Sequence, residues 1–394
     1  MSEWGTVRLE EISADEKSSI SKPYGSAYTK NDYVANGVPL VRGVNLGAGR
    51  FHDDDFVFIT QAKADSLPGA NLAPGDLVIT HRGTIGQVSM IPRSPRYDRY
   101  VLSTSQVKAR LNPSKAVPEF YYYWLTSPSG QREILQHVST VGVPGLVQPV
   151  ATVKSFKVPH PPLDEQRGVV ALLGALDDKI AVNERIVDTA QGLMLAHLEG
   201  ATSLEATEVP LSDVALFHNK KRVPLSSRER SEIPGPYPYY GAAGVVDHVK
   251  DFLFSGPHVL VGEDGTVATD DGRPVVQYVW GDFWVNNHAH VLTGTRISTE
   301  LLAVTLRIPN VTSLVTGAVQ PKLNMRNLQQ LRLRIPSEAA LHRLEALVDP
   351  LWETVRFRQD ENRALTALRD TLIPQLMSGR LRVKDAEKIV EDAT

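Results

Sequence analysis

With 394 residues, 42% of them hydrophobic and 22% charged, and with glycine and proline scattered rather than periodic, the chain has the composition of a globular protein of about two or three domains. The absence of cysteine excludes disulfides, thiol nucleophiles, iron-sulfur clusters and cysteine zinc sites, and a net charge of -3 excludes a chain attracted to polyanions along its whole length. The start Met1-Ser2-Glu3-Trp4-Gly5 lacks a signal-peptide pattern and no run of about 18 apolar residues occurs, so the expectation is a cytoplasmic protein without a membrane partner.

In chain order, residues 1–158 are rich in Gly, Pro and β-branched residues and read as a mixed, strand-rich domain. Within it, Tyr121-Tyr122-Tyr123-Trp124-Leu125 lies between Pro118 and Pro128, which suits a short buried helix better than a stacking platform. Residues 159–200 read as a long helix entered through Pro161-Pro162-Leu163-Asp164-Glu165-Gln166, with prolines and acids where backbone donors are free. Residues 201–335 read as a second strand-rich domain. Residues 336–394 read as a second helix, with Pro350 marking a kink or late start, Pro374 and Gly379 its end, and a C-terminal tail beyond.

The order repeats. Val7-Arg8-Leu9 returns as Val209-Pro210-Leu211, and Asp76 to Thr84 returns as His258 to Thr266, each a strand entering a Gly-Thr turn. Gly145-Leu146-Val147-Gln148-Pro149 returns as Gly317-Ala318-Val319-Gln320-Pro321. The helices are seams as well. Alternating steps of four and three give Val169, Leu173, Leu176, Ile180, Asn183, Val187, Ala190 and Met194, then Leu344, Val348, Leu351, Val355, Arg358, Asn362 and Leu365. Asn183 and Asn362 either fix the register of a helix pair or sit in water at its edge. The fold class is therefore α+β: two similar strand-rich domains separated by two long helices that form an antiparallel coiled coil, an internal pseudo-twofold repeat. A first helix of about 37 residues would extend roughly 55 Å, a spacer.

Pro161-Pro162-Leu163-Asp164-Glu165-Gln166-Arg167, Leu176-Asp177-Asp178-Lys179-Ile180 and Asn183-Glu184-Arg185-Ile186 resemble the central conserved region of the DNA-recognition (specificity) subunits of type I restriction-modification systems. Leu368-Arg369-Asp370-Thr371-Leu372-Ile373-Pro374-Gln375-Leu376-Met377-Ser378-Gly379 resembles their distal conserved region. The resemblance covers essentially the whole chain, although Ser337-Glu338-Ala339-Ala340 replaces the Glu-Gln entry common in the second helix. It implies two target-recognition domains that bind the halves of a bipartite double-stranded DNA target. It also implies helices that set the unread gap and dock two methyltransferase (modification) subunits, with nuclease-translocase (restriction) subunits joining. The chain itself would be noncatalytic and bind no cofactor, with S-adenosylmethionine, ATP and Mg²⁺ expected on the partners. A related phage-defence methylation system lacking the nuclease is the alternative, and a stand-alone nucleic-acid enzyme the weaker one.

Enzyme motifs are sparse. Neither an Asn/Asp-Pro-Pro-aromatic tetrapeptide nor a Walker phosphate loop occurs, Gly47-Ala48-Gly49 reads as a turn, and His288-Ala289-His290 and Asp53-Asp54-Asp55 lack the further ligands of a metal site. Residue types suited to base edges and phosphates nominate Arg42, Asn45, His81, Arg82, Thr84, Ser105 and Gln106 in the first domain. In the second they nominate Lys220, Lys221, Arg222, Tyr239, Tyr240, Asn286, Asn287 and His288. Taken singly, each is explained more simply as a surface polar group or a satisfied strand side chain. Only the set carries the reading.

Overall fold

Short runs of β-branched and aromatic residues between Gly and Pro turns become strands of two to seven residues in the computed structural model, which describes residues 4–47, 51–139, 144–317 and 319–393. Ala48, Gly49 and Ala318 of the motifs above lie outside the described residues. The chain divides into two compact units, Met1–Ile180 with Ala364–Thr394, and Ala181–Arg363.

In the first unit, β1 (Ile20–Ser21), β2 (Val38–Val41), β3 (Leu77–Thr80), β4 (Val88–Met90), β5 (Tyr100–Leu102) and β6 (Gln106–Ala109) carry the architecture. One antiparallel sheet has the order β1-β6-β3-β4; a five-stranded sheet contains β2 and β5 as a parallel pair, Val41 opposite Leu102. Strand β3 is buried throughout, so its alternation serves two cores. Leu77 and Ile79 pack with Phe120 and Tyr121 of α1 (Pro118–Thr126), while Val78 packs with Val38, Leu40 and Val101. The aromatic run of α1 is core: Tyr121 and Leu125 are fully buried and Tyr123 and Trp124 nearly so. A long helix, α2 (Leu163–Leu204), follows.

The second unit repeats this with β7 (Ala215–Phe217), β8 (Pro234–Tyr240), β9 (His258–Gly262), β10 (Val276–Val279), β11 (Asp282–Val285) and β12 (Ala289–Gly294). The antiparallel sheet runs β7-β12-β9-β10, and β8 and β11 are parallel, Tyr240 opposite Val285. Val259 and Val261 enter one core and Leu260 the other. Helix α3 (Thr299–Thr305) takes the place of α1.

Hydrogen bonds fix which residues correspond. The pair Leu9 N–H to Phe156 O matches Leu211 N–H to Leu331 O, and His81 N–H to Ser105 O matches Glu263 N–H to His288 O. His81 thus corresponds to Glu263, the spacing read from the strand-turn repeat. Gly83 and Gly265, the turn glycines of that repeat, both adopt positive φ, 93° and 82°, which an L side chain resists. The third sequence match is corrected: Leu146 N–H donates to His81 O and Leu323 N–H to Glu263 O, so Leu146 corresponds to Leu323, not to residue 318. A loop closed by Thr316 and Lys322 precedes Leu323 in the second copy and shifts the alignment.

The second long helix, α4, spans Glu338–Met377 and begins before Pro350, so that proline lies inside the helix and does not start it. The helix also continues past Pro374 and is stopped at Gly379, where φ is 72° and the Trp4 indole lies against the glycine. The segment expected as a tail contains a further helix, α5 (Val383–Ala393), whose Ala386 is buried and whose Val383 packs on Gly168. Helix α2 runs to Leu204, beyond its expected end near residue 200, because Ala201 and Thr202 still pack on the second unit.

In both units α2 and α4 pair antiparallel. In the first, Val169, Leu173, Leu176 and Ile180 share a core with Leu365, Leu372 and Leu376; in the second, Val187, Ala190, Met194 and Leu198 share one with Leu344, Val348, Trp352 and Val355. On α4 the knob after Val348 is Trp352, 1% exposed, while Leu351 is only half-buried. Asn183 is fully buried, and its amide donates to Asn362 Oδ1 at 2.8 Å and Glu361 Oε2 at 2.7 Å. Of the two readings for Asn183, the interior one holds.

Candidate nucleic-acid interface

The parallel strand pair in each unit sends two chain segments out at one end of the sheets, and the antiparallel pair brings a third segment beside them. In the first unit Ser103 N–H donates to Val41 O, and His81 N–H to Ser105 O, so residues 42, 81–84 and 103–105 form one edge. In the second, Asn286 N–H donates to Tyr240 O, and Glu263 N–H to His288 O, which gathers 241, 263–266 and 286–288 at the equivalent edge. Of the candidates chosen by residue type, Arg42, His81, Arg82, Thr84 and Ser105 fall on the first edge and Asn286, Asn287 and His288 on the second, while Asn45, Gln106, Lys220, Lys221, Arg222, Tyr239 and Tyr240 lie outside these bounds. They divide into residues that build the edge and residues that project from it.

Asn45 is a builder. It is 1% exposed, accepts the Arg42 backbone amide at 2.9 Å and donates to Asp54 O at 2.8 Å, clamping the loop after β2. Arg42 donates to Asp55 O at 3.0 Å. His81 is buried with Nε2 at 3.0 Å from Thr104 O, and burial pushes its pKa below the ordinary imidazole value. Gln106 is 1% exposed and its Oε1 has no partner among the described residues. Arg82 and Thr84 project into solvent, and Ser105 is half-buried beside them.

In the second unit Arg222 is held inward, donating to Glu263 Oε2 at 2.7 Å and Ala289 O at 2.6 Å, which accounts for its cation without a phosphate. Tyr240 is buried edge-on to Phe283, and Tyr239 is 1% exposed, its hydroxyl accepting the Leu225 amide at 2.8 Å. Asn286 accepts the His288 amide at 2.8 Å. Asn287, His288, Lys220 and Lys221 are exposed, the lysines on a short turn, Asn219–Lys221. Tyr239, Asn286, Asn287 and His288 line one open cavity of about 690 Å³ with Arg230, Thr266 and Gln320. Residue type alone did not nominate those three; the Gly-Thr repeat pointed to Thr266 without assigning it a role.

His288 and His290 do not act together. His290 is fully buried, with Nε2 2.7 Å from Leu323 O and Nδ1 2.8 Å from Asn219 Nδ2, so both ring nitrogens are used inside the fold, and burial pushes its pKa below the ordinary imidazole value. Among the described residues no group of three or more His, Cys, Asp or Glu is placed to hold a metal ion, and no helix is long and apolar enough to cross a membrane.

The helix motifs tie each unit together. Gln166, fully buried, accepts the Val117 amide at the start of α1 at 2.8 Å and donates to Pro161 O. In the second unit Glu345 accepts the Ser298 amide at the start of α3 at 2.7 Å. A residue one turn further along the helix therefore does the work of the missing Glu-Gln entry. Asp177 accepts from Tyr123 Oη at 2.7 Å and from Arg369 Nη1 at 2.8 Å, an internal junction rather than a free surface charge.

A model of the type I restriction modification DNA specificity domain matches residues 1–190 and again 204–355. The chain belongs to this family. Its two specificity domains carry the two equivalent edges. A putative type I restriction enzyme specificity subunit of Haemophilus influenzae is 33% identical over 152 residues, 38% of each chain, so the match spans about two fifths of that relative. The type I restriction enzyme MjaIX specificity subunit of Methanocaldococcus jannaschii is 22% identical over 351 residues, 79% of this chain and 78% of that one. In fold, the chain is similar to the type I restriction-modification system S subunit from M. genitalium, with a TM-score of 0.61 at 16% identity over 95% of this chain and 96% of that one. The Haemophilus influenzae and Methanocaldococcus jannaschii relatives are both named as specificity subunits.

Proposed function

We propose that this chain selects DNA sequence for a type I restriction-modification complex without catalysing a reaction itself. Each specificity domain reads one half of a bipartite duplex target with its strand-end edge. The helices set the unread gap and dock two methyltransferase subunits, which nuclease-translocase subunits join. S-adenosylmethionine, ATP and Mg²⁺ then belong to the partners. The observation that carries this reading is the duplicated edge: two topologically equivalent platforms on one chain, built by the same hydrogen bonds and bearing different side chains. A conserved scaffold with divergent projecting residues suits two half-sites of unlike sequence. Base edges in the major groove are distinguished by donors and acceptors of the kind Arg82, Asn287 and His288 offer.

The test is to assemble the chain with its cognate methyltransferase and map methylated adenines. A two-part motif with a constant gap is expected. Exchanging residues 1–158 for the corresponding domain of a relative should change one part only, and inserting one helical turn into α2 and the matching turn into α4 should change the gap. A continuous motif, an unaltered gap, or methylation by the chain alone would overturn the reading.

A further inference from the structure

The equivalence of the two edges places residues of opposite charge at one position. Arg82 corresponds to Asp264: each follows a residue whose backbone bonds both neighbouring segments, each makes a bridge to the next strand, with Gly145 and Lys322 respectively, and each precedes a positive-φ glycine. Their surroundings differ. The Asp264 carboxylate is neutralised by Lys322 Nζ at 3.1 Å, with His288 Nδ1 at 3.7 Å. Arg82 is exposed, and among the described residues its guanidinium has neither an ion pair nor a hydrogen bond.

Resting on the function proposed above, we propose that Arg82 is the specificity-determining residue for a guanine in the half-target read by the first domain. The backbone beneath it is fixed on three sides. His81 donates to Ser105 O and accepts from Leu146 N–H, both at 2.9 Å, while its ring is held at Thr104 O. A side chain launched from a rigid strand end loses less freedom on binding than one on a loop. The guanidinium fork matches O6 and N7 of guanine, and a bidentate pair of this kind discriminates against other bases by about tenfold or more. Beside it on the edge Thr84 and Ser105 are neutral, while Arg42 is turned onto Asp55 O and Lys22, near His81, is bonded to Pro23 O. That is a setting for base readout, in contrast with the paired exposed lysines 220 and 221 of the second unit, which suit a phosphate track. The second domain, with its carboxylate already paired, lacks the equivalent free donor.

The experiment uses the complex assembled with its methyltransferase. The wild-type motif is mapped first, and the half belonging to the first domain is assigned by the exchange of residues 1–158. Methylation rates are then measured on duplexes carrying each base at each motif position, for wild type, Arg82→Ala and Arg82→Lys. Folding of the variants is checked by circular dichroism and by their assembly with the methyltransferase. Wild type should require a guanine in the first half, replacement of that guanine by 7-deazaguanine should weaken it, and Arg82→Ala should relax discrimination at that position by about tenfold or more. Arg82→Lys should restore only part of it, since lysine lacks the fork. The inference is overturned by a uniform loss on all duplexes, which marks a phosphate contact, by a change in the other half, or by no change. If wild type shows no two-part motif at all, the function proposed above fails instead.

Discussion

The side chain of Asn183 donates to that of Asn362 at 2.8 Å, joining the two asparagines of the helix seams. Glu361, which takes the other Asn183 proton, is also bonded by Arg358 Nη1 at 2.9 Å. These donor bonds form in only one helix register, although Asn183 Oδ1 and Arg358 Nε find no partner among the described residues. Asn183→Ala should lower stability by about 1–2 kcal/mol, the cost of leaving partly buried partners without this donor, and thermal unfolding should show a lower midpoint. Asn183→Leu should be tolerated less well than its apolar character suggests, since Glu361 loses a donor.

Gln166 and Glu345 make the same bond in different units, each accepting the backbone amide at the start of a short domain helix. Gln166→Ala and Glu345→Ala should each strand an amide and cost about 1–3 kcal/mol. Gln166→Glu retains an acceptor for Val117 but sets a buried carboxylate oxygen against Pro161 O, so it should be no milder than alanine near neutral pH and should recover stability as the carboxyl is protonated in acid. Hydrogen exchange at Val117 and Ser298 distinguishes the two sites: each alanine variant should accelerate exchange only at its own amide.

Four histidines, His81, His218, His258 and His290, have pKa values lowered chiefly by burial. Their unfolded forms titrate near 6.5 and their folded forms lower, so on acidification the unfolded chain takes up protons first. Stability is therefore fully present above about pH 6.5 and declines as pH falls through the folded values. The unfolding midpoint should drop between about pH 7.5 and 5.5, and the decline should be shallower in His258→Phe, whose ring position lies among Phe254 and Phe283. A midpoint unchanged across this range would contradict the buried neutral state.

Gly83 and Gly265 test the duplicated turn. Among the described residues, and leaving aside the chain neighbours, no atom stands within 4 Å of an added Cβ at either, so alanine there meets chiefly backbone strain of about 1–2 kcal/mol. In the assembled complex Gly83→Ala should disturb methylation through the first half of the target and Gly265→Ala through the second.

Periodicity made the helix pair legible because seam burial is a property of spacing: each seam residue named on α2, from Val169 to Met194, is buried. It misjudged α4 near Pro350, where the indole of Trp352 bonds Glu300 O and fills the position that stepping assigns to Leu351. The strand-turn repeat was legible through Gly83 and Gly265, whose conformation few other residues adopt. The later match slipped because loop insertions leave no trace in a five-residue pattern. At the candidate interface, residue type found the edges but could not separate Asn45, Arg222 and Tyr239, consumed inside the fold, from Arg82 and Asn287, which project. That distinction depends on partners distant in sequence.

The first unit is discontinuous: its core includes Leu365, Leu372 and Leu376, and Trp4 rests on Gly379. The second is a single uninterrupted stretch. During synthesis the later-made unit can therefore close before the earlier one, whose core lacks Leu365, Leu372 and Leu376 until residues 364–394 leave the ribosome. A premature stop near residue 363 would harm the beginning of the protein more than its middle.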